Sequence, residues 1–232
     1  MESLTLFQRL AVFALPVLFA ITLHEVAHGW VALRLGDPTA RMMGRLSLNP
    51  LRHVDPVGTV VVPVFLFLVG GILFGWARPV PVTWENLRHP RRDMALVAAA
   101  GPLANLVMGL LWAGVMRLGL AMGEASAVAL FLVYSGVAGV FINVVLMVLN
   151  LLPLPPLDGG RIVTGLLPPR AAAAYSRIEP WGILILVALL FTGVLGRIIW
   201  PPLISVEAAL LAVTDVPFQL FNYVLHILFP NG

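Results

Sequence analysis

The chain contains no cysteine and no lysine, and only 11% of its 232 residues are charged. The missing cysteine excludes disulfides and thiolate sites, so a metal would have to be held by histidine and carboxylate. The missing lysine leaves arginine as the only basic side chain besides histidine. The net charge of +3 could suggest nucleic acid, but the arginines form no continuous basic run, and no nucleic-acid partner is expected. So little charge cannot cover a soluble domain of this size. With 60% hydrophobic residues and a mean hydropathy of +0.98, the chain reads as lipid-embedded. No internal repeat or low-complexity stretch is seen. Glu2 and Arg9 precede the first apolar run without a basic leader region or a small-residue cleavage site, so that run is expected to stay as a helix.

Apolar segments lie at about 10–33, 57–76, 94–120, 126–152, 181–200 and 203–229, each near the ~20 residues that cross a bilayer. Pro63, Gly70 and Gly71 interrupt the second, and residues 41–48 could alternate as a strand. Pro153, Pro155 and Pro156 make the exit from the fourth non-helical. The expected fold is an all-α polytopic membrane protein. It is a single domain over 1–232 with about five to six transmembrane helices and a re-entrant or strand-like loop after the first. The catalytic core is expected at about 10–165 and C-terminal helices at about 181–229. Eleven of the fourteen arginines flank one set of segment ends; only Arg9, Arg117 and Arg197 flank the other. Positive charge stays inside, so the N-terminus is expected outside the inner (plasma) membrane and the arginine-rich loops in the cytoplasm.

The first segment carries His24-Glu25-Val26-Ala27-His28. Residues four apart on a helix lie one above the other, so both imidazoles can reach one ion, and Glu25 beside them can take a proton from water. Histidines and an acid facing lipid would be costly, about 2–3 kcal/mol for a central charge, so they are expected to face an interior site. His28 lies six residues before Arg34 and His24 ten before it, which puts the ion roughly 9–15 Å below the cytoplasmic boundary. Zinc is the expected metal, one per chain, and it needs a third protein ligand. Asp158, followed by the flexible pair Gly159-Gly160, is one candidate, and the alternative is a surface turn aspartate there. Asp215 is the rival, although Thr214-Asp215-Val216-Pro217 reads as a helix start.

The His24–His28 motif, Ala100-Gly101-Pro102-Leu103-Ala104-Asn105 and Asn150-Leu151-Leu152-Pro153-Leu154-Pro155-Pro156-Leu157-Asp158-Gly159-Gly160, in that order, resemble the site-2 protease family. The resemblance spans about residues 10–165. It implies a zinc metalloprotease that cuts single-span membrane proteins, such as anti-sigma factors or similar regulators, within the bilayer. It also implies Asp158 as third ligand and Asn150 as a substrate-backbone or oxyanion contact, with an interhelical hydrogen bond as the alternative. The chain looks like the minimal bacterial branch, without PDZ or CBS domains. Asn105 is a weaker candidate for substrate contact. His53 could approach the metal from its loop as a gating ligand, or be an ordinary turn histidine. A transporter would also bury acids and histidines, but would be expected to show inverted repeats.

Overall fold

The computed structural model describes residues 4–53, 55–61, 78–123 and 126–229. Helix α1 spans Leu6–Arg34, and Thr5 and Gln8 cap its start by bonding each other's backbone amides. Its 29 residues reach roughly 43 Å, ample for the ~30 Å hydrocarbon layer. A single helical turn, α2 (Thr39–Met42), follows. Residues 41–48, expected to be strand-like, instead continue from that turn as irregular chain, and no strand occurs among the described residues. The expected re-entrant segment at 57–76 lies mostly outside the described residues; Pro56–Val61 forms a wide helical turn.

Two long helices, α3 (Pro90–Ala121) and α4 (Ala127–Asn150), form an antiparallel pair. Pro90 suits the first turn of α3, where its missing N–H is no loss, and the Ser126 hydroxyl caps α4. Small residues let the pair touch closely: a Cβ on Gly136 would lie 2.7 Å from the Met116 backbone, and one on Gly119 2.8 Å from Ala129 O. Gly139 belongs to this packing face, since a Cβ there would run into the Trp112 ring, and Ser135 is buried on the same helix. The proline-rich exit then turns the chain into α5 (Asp158–Leu166). Gly159 and Gly160 are buried there; a Cβ on Gly160 would sit 2.7 Å from the Leu154 carbonyl carbon. Helix α5 lies against α3, with the Arg91 guanidinium donating to Leu167 O.

Short α6 (Pro169–Ser176) and α7 (Glu179–Phe191) are bent by 58° relative to each other. Then come α8 (Val194–Val213) and α9 (Phe218–Leu228), both packed on α4. The expected segments 181–200 and 203–229 are therefore divided elsewhere. Gly193, at φ 71°, breaks the helix where a side chain would be strained, whereas Pro201 and Pro202 are carried inside α8. The Ser205 hydroxyl takes up the Pro201 carbonyl. Among the described residues four helices are long and apolar enough to cross a membrane, five if the bent pair counts as one.

Residues 78–88 form a strap laid along the end of α1. Arg88 N–H donates to Leu35 O at 3.0 Å, and Arg78 N–H donates to His53 O at 2.9 Å.

Candidate metal centre

The i, i+4 spacing on α1 sets the His24 and His28 rings edge to face, with their Nε2 atoms 3.1 Å apart. The turn between α4 and α5 returns Asp158 to the same place, with Oδ2 3.2 Å from each Nε2. Two features of α3 make room. Gly101 presents no side chain to the rings, and Pro102, with no N–H to donate to Ala98, follows it in the helix beside the cavity that Ala98 lines.

Protons decide what this triangle can hold. His28 Nδ1 lies 2.7 Å from Val97 O. A carbonyl only accepts, so Nδ1 carries a hydrogen, and in the neutral imidazole Nε2 then carries the lone pair. His24 Nδ1 lies 2.6 Å from Asn105 Oδ1, which again accepts. The buried Asp158 Oδ2 correspondingly receives no hydrogen bond. With both imidazoles neutral, three electron-pair donors converge here with no hydrogen among them, an arrangement suited to a bound cation. Tetrahedral zinc with bonds of about 2.0–2.1 Å would hold its ligand atoms roughly 3.3 Å apart, so the residues fit that ion. Among the described residues this is the one cluster of histidines and acids with such spacing.

Beside the triangle lies a cavity of about 350 Å³ into which Glu25, Asn150, Trp84 and Arg161 also face. Glu25 is half-buried, and its Oε2 accepts a 2.7 Å hydrogen bond from Val80 N–H of the strap. Asn150 donates one amide hydrogen to Leu146 O at 2.9 Å. Asn105, considered for substrate contact, is fully buried behind the His24 ring and does not line the cavity. His53 does not reach it either. The ring is buried, with Nε2 2.7 Å from Ser47 O, and pins its own loop. Asp215 stands apart, almost fully exposed, 3.9 Å from Arg117.

Three participants escaped sequence reasoning. Val80 acts through its backbone, which leaves no signature. Arg161 had one in its position three residues after Asp158, which puts both on one helical face. Its guanidinium sits 5.0 Å over the Trp84 ring and 3.6 Å from Glu179. Asn143 lies behind Asn105, and no spacing connects the two.

A model of peptidase family M50 matches residues 114–193. The protein named "Putative zinc metalloprotease YwhC" of Bacillus subtilis is 37% identical over 209 residues, covering 88% of this chain and 91% of that protein. "Putative zinc metalloprotease Rip2" of Mycolicibacterium smegmatis is 38% identical over 182 residues, covering 78% of this chain and 66% of its own length. The regulator of sigma-E protease RseP of Salmonella typhimurium is 31% identical over 112 residues, covering 46% of this chain and 25% of that protein. No solved structure matches the chain.

Proposed function

The chain belongs to peptidase family M50, and we propose that His24, His28 and Asp158 hold its zinc while Glu25 serves as general base. It is a zinc metalloprotease and a multi-pass membrane protein. The observation that carries the ligand assignment is the convergence of two Nε2 lone pairs and the Asp158 carboxylate within 3.2 Å. Zinc bound there supplies a Lewis acid that brings the pKa of water toward about 7.

The protein's own groups do the rest. Val80 N–H occupies Glu25 Oε2, which leaves Oε1 to take the proton from the attacking water and pass it to the leaving amine. Asn150 has a second amide hydrogen beyond the one given to Leu146 O. Aimed at the scissile carbonyl, it would stabilise the developing negative charge. A substrate helix hides its carbonyls in its own hydrogen bonds, so it must unwind locally to be cut.

The substrate class we propose is a single-span membrane protein, an anti-sigma factor or comparable regulator, cut within or near its membrane segment. The regulator RseP, similar over part of its length, supports that choice. The arginine distribution supports an enzyme in the inner (plasma) membrane with its N-terminus outside and its arginine-rich loops and cavity mouth cytoplasmic.

The test separates binding from chemistry. His24→Ala, His28→Ala and Asp158→Ala should each lower the zinc content of purified protein. Glu25→Gln should retain zinc and lose cleavage. Normal cleavage by Glu25→Gln would remove the general-base role, and undiminished zinc in Asp158→Ala would remove the third ligand.

A further inference from the structure

A chain of hydrogen bonds runs from the metal centre across α3 into α4. His24 Nδ1 meets Asn105 Oδ1 at 2.6 Å. Asn105 Nδ2 donates to Ala20 O at 3.2 Å and to Asn143 Oδ1 at 2.9 Å. Asn143 Nδ2 donates to Gly139 O at 2.8 Å. Both asparagines are fully buried.

We infer that Asn143 is a positioning residue that fixes, through Asn105, which nitrogen of His24 carries the proton; the inference rests on the reading of His24 as a ligand.

The argument is one of polarity. The two ends of an asparagine amide have almost the same shape, so Asn105 by itself could turn over and offer NH2 to His24. His24 would then keep its hydrogen on Nε2, pointing into the metal site, and could not ligate. Two backbone carbonyls forbid the turn, because a carbonyl can only accept. Gly139 O requires the NH2 of Asn143 on its side, which turns Asn143 Oδ1 toward α3. Asn105 must then present NH2 to Asn143 and to Ala20 O, and its oxygen is left for His24. Turning Asn105 would set oxygen against oxygen at two places. Without Asn143 only Ala20 O opposes it. Asn143 therefore contributes to zinc binding from two hydrogen bonds away, whereas His28 needs no such relay because Val97 O takes its hydrogen directly. Partners beyond the ligands commonly change metal affinity 10–100-fold, and a residue one bond further out belongs at the low end.

The test uses the full chain in detergent, stripped of metal and labelled with 15N-histidine; with five histidines in the sequence the spectrum is tractable. In the parent protein His24 should show the Nδ1–H tautomer. Asn143→Leu, similar in shape but without polarity, should populate both tautomers and weaken zinc about tenfold in a chelator competition. Asn143→Asp should restore both readouts, since a neutral acid donates to Gly139 O and accepts from Asn105. Should the leucine variant not fold, Asn143→Ser replaces it. Its hydroxyl can bond Gly139 O but is too short to accept from Asn105. A folded Asn143→Leu or Asn143→Ser with a single Nδ1–H tautomer and parental zinc affinity would overturn the inference, leaving Asn143 a packing residue. Failure of the ligand reading is distinguishable: His24→Ala would then bind zinc like the parent, whatever the tautomer of His24.

Discussion

At the scale of single residues, the site depends as much on an atom that is missing as on those present. A Cβ on Gly101 would lie 2.6 Å from Cε1 of both His24 and His28, closer than carbon atoms tolerate, so the rings can stand against α3 only because residue 101 has no side chain. Gly101→Ala should push the two Nε2 atoms out of the triangle. We expect zinc affinity to fall at least tenfold and the metal-free protein to lose about 1–3 kcal/mol by overpacking, measured by chelator competition and thermal denaturation. Full zinc affinity in that variant would show that the rings can shift without loss. The histidines themselves were legible, since i, i+4 spacing in an apolar run defines a face. The function of Gly101 was not. Its motif reads only as close helix packing, and spacing along α3 does not say that the surface packed against it is imidazole. Asn105 shows the same gap, because sequence places it one turn beyond Gly101 without revealing that it stands behind His24.

At the scale of elements, the strap over residues 78–88 governs Glu25, and Asp37 governs the strap. Buried just after α1, Asp37 accepts from the Thr39 hydroxyl and amide, from Asn86 Nδ2 and from Thr83 N–H. Burial alone would raise its pKa, but the hydrogen bonds from Thr39, Asn86 and Thr83 outweigh it and hold the carboxyl below its ordinary 3.8. A folded pKa below the unfolded one means that the stabilisation is complete above the unfolded value and is lost as pH falls through the folded value. The anchor is therefore constant at neutral pH and releases only in acid, below about pH 4. Asp37→Asn removes the charge and leaves one amide oxygen for several donors, at a cost of about 1–3 kcal/mol. Hydrogen exchange at Val80 and Thr83 should accelerate in that variant at pH 7, with zinc content unchanged. In the parent the same acceleration should appear only in acid. Equal exchange in the two proteins at pH 7 would mean that other contacts, such as Arg88 N–H to Leu35 O, suffice to dock the strap. The docking of the strap was not legible from spacing, since Thr83 and Asn86 lie 46 and 49 residues from Asp37 and one of these two donors is a backbone amide.

At the scale of the whole molecule, the order of helices follows from hydropathy and the caps, while most of residues 54–77 lie outside the described residues. By length alone that segment could cross the bilayer. We propose that its two ends lie on one side of the membrane, on three grounds. Arg41, Arg45 and Arg52 precede it and Arg78, Arg88, Arg91 and Arg92 follow it, so a crossing would put one cluster outside. The two ends are joined: Arg78 N–H donates to His53 O at 2.9 Å, and the Arg45 guanidinium reaches Arg78 O and Pro79 O at 3.1 and 3.3 Å. Ends bonded to each other cannot lie on opposite faces of a hydrocarbon layer about 30 Å thick. The site imposes a third constraint, since α1 and α4 must end on the same side for Asp158 to meet His28, and α3 with α4 already forms one antiparallel pair. Because the chain has no cysteine, single cysteines report cleanly. Met43 and Arg88 are exposed on either side of the segment, and Met122 is exposed at the far end of α3. With a membrane-impermeant thiol reagent, Met43→Cys and Arg88→Cys should be shielded in intact cells and labelled in inverted vesicles, and Met122→Cys should show the reverse. Labelling of positions 43 and 88 from opposite sides would make the segment a true span, and the parity that brings Asp158 to His28 would have to come from another helix.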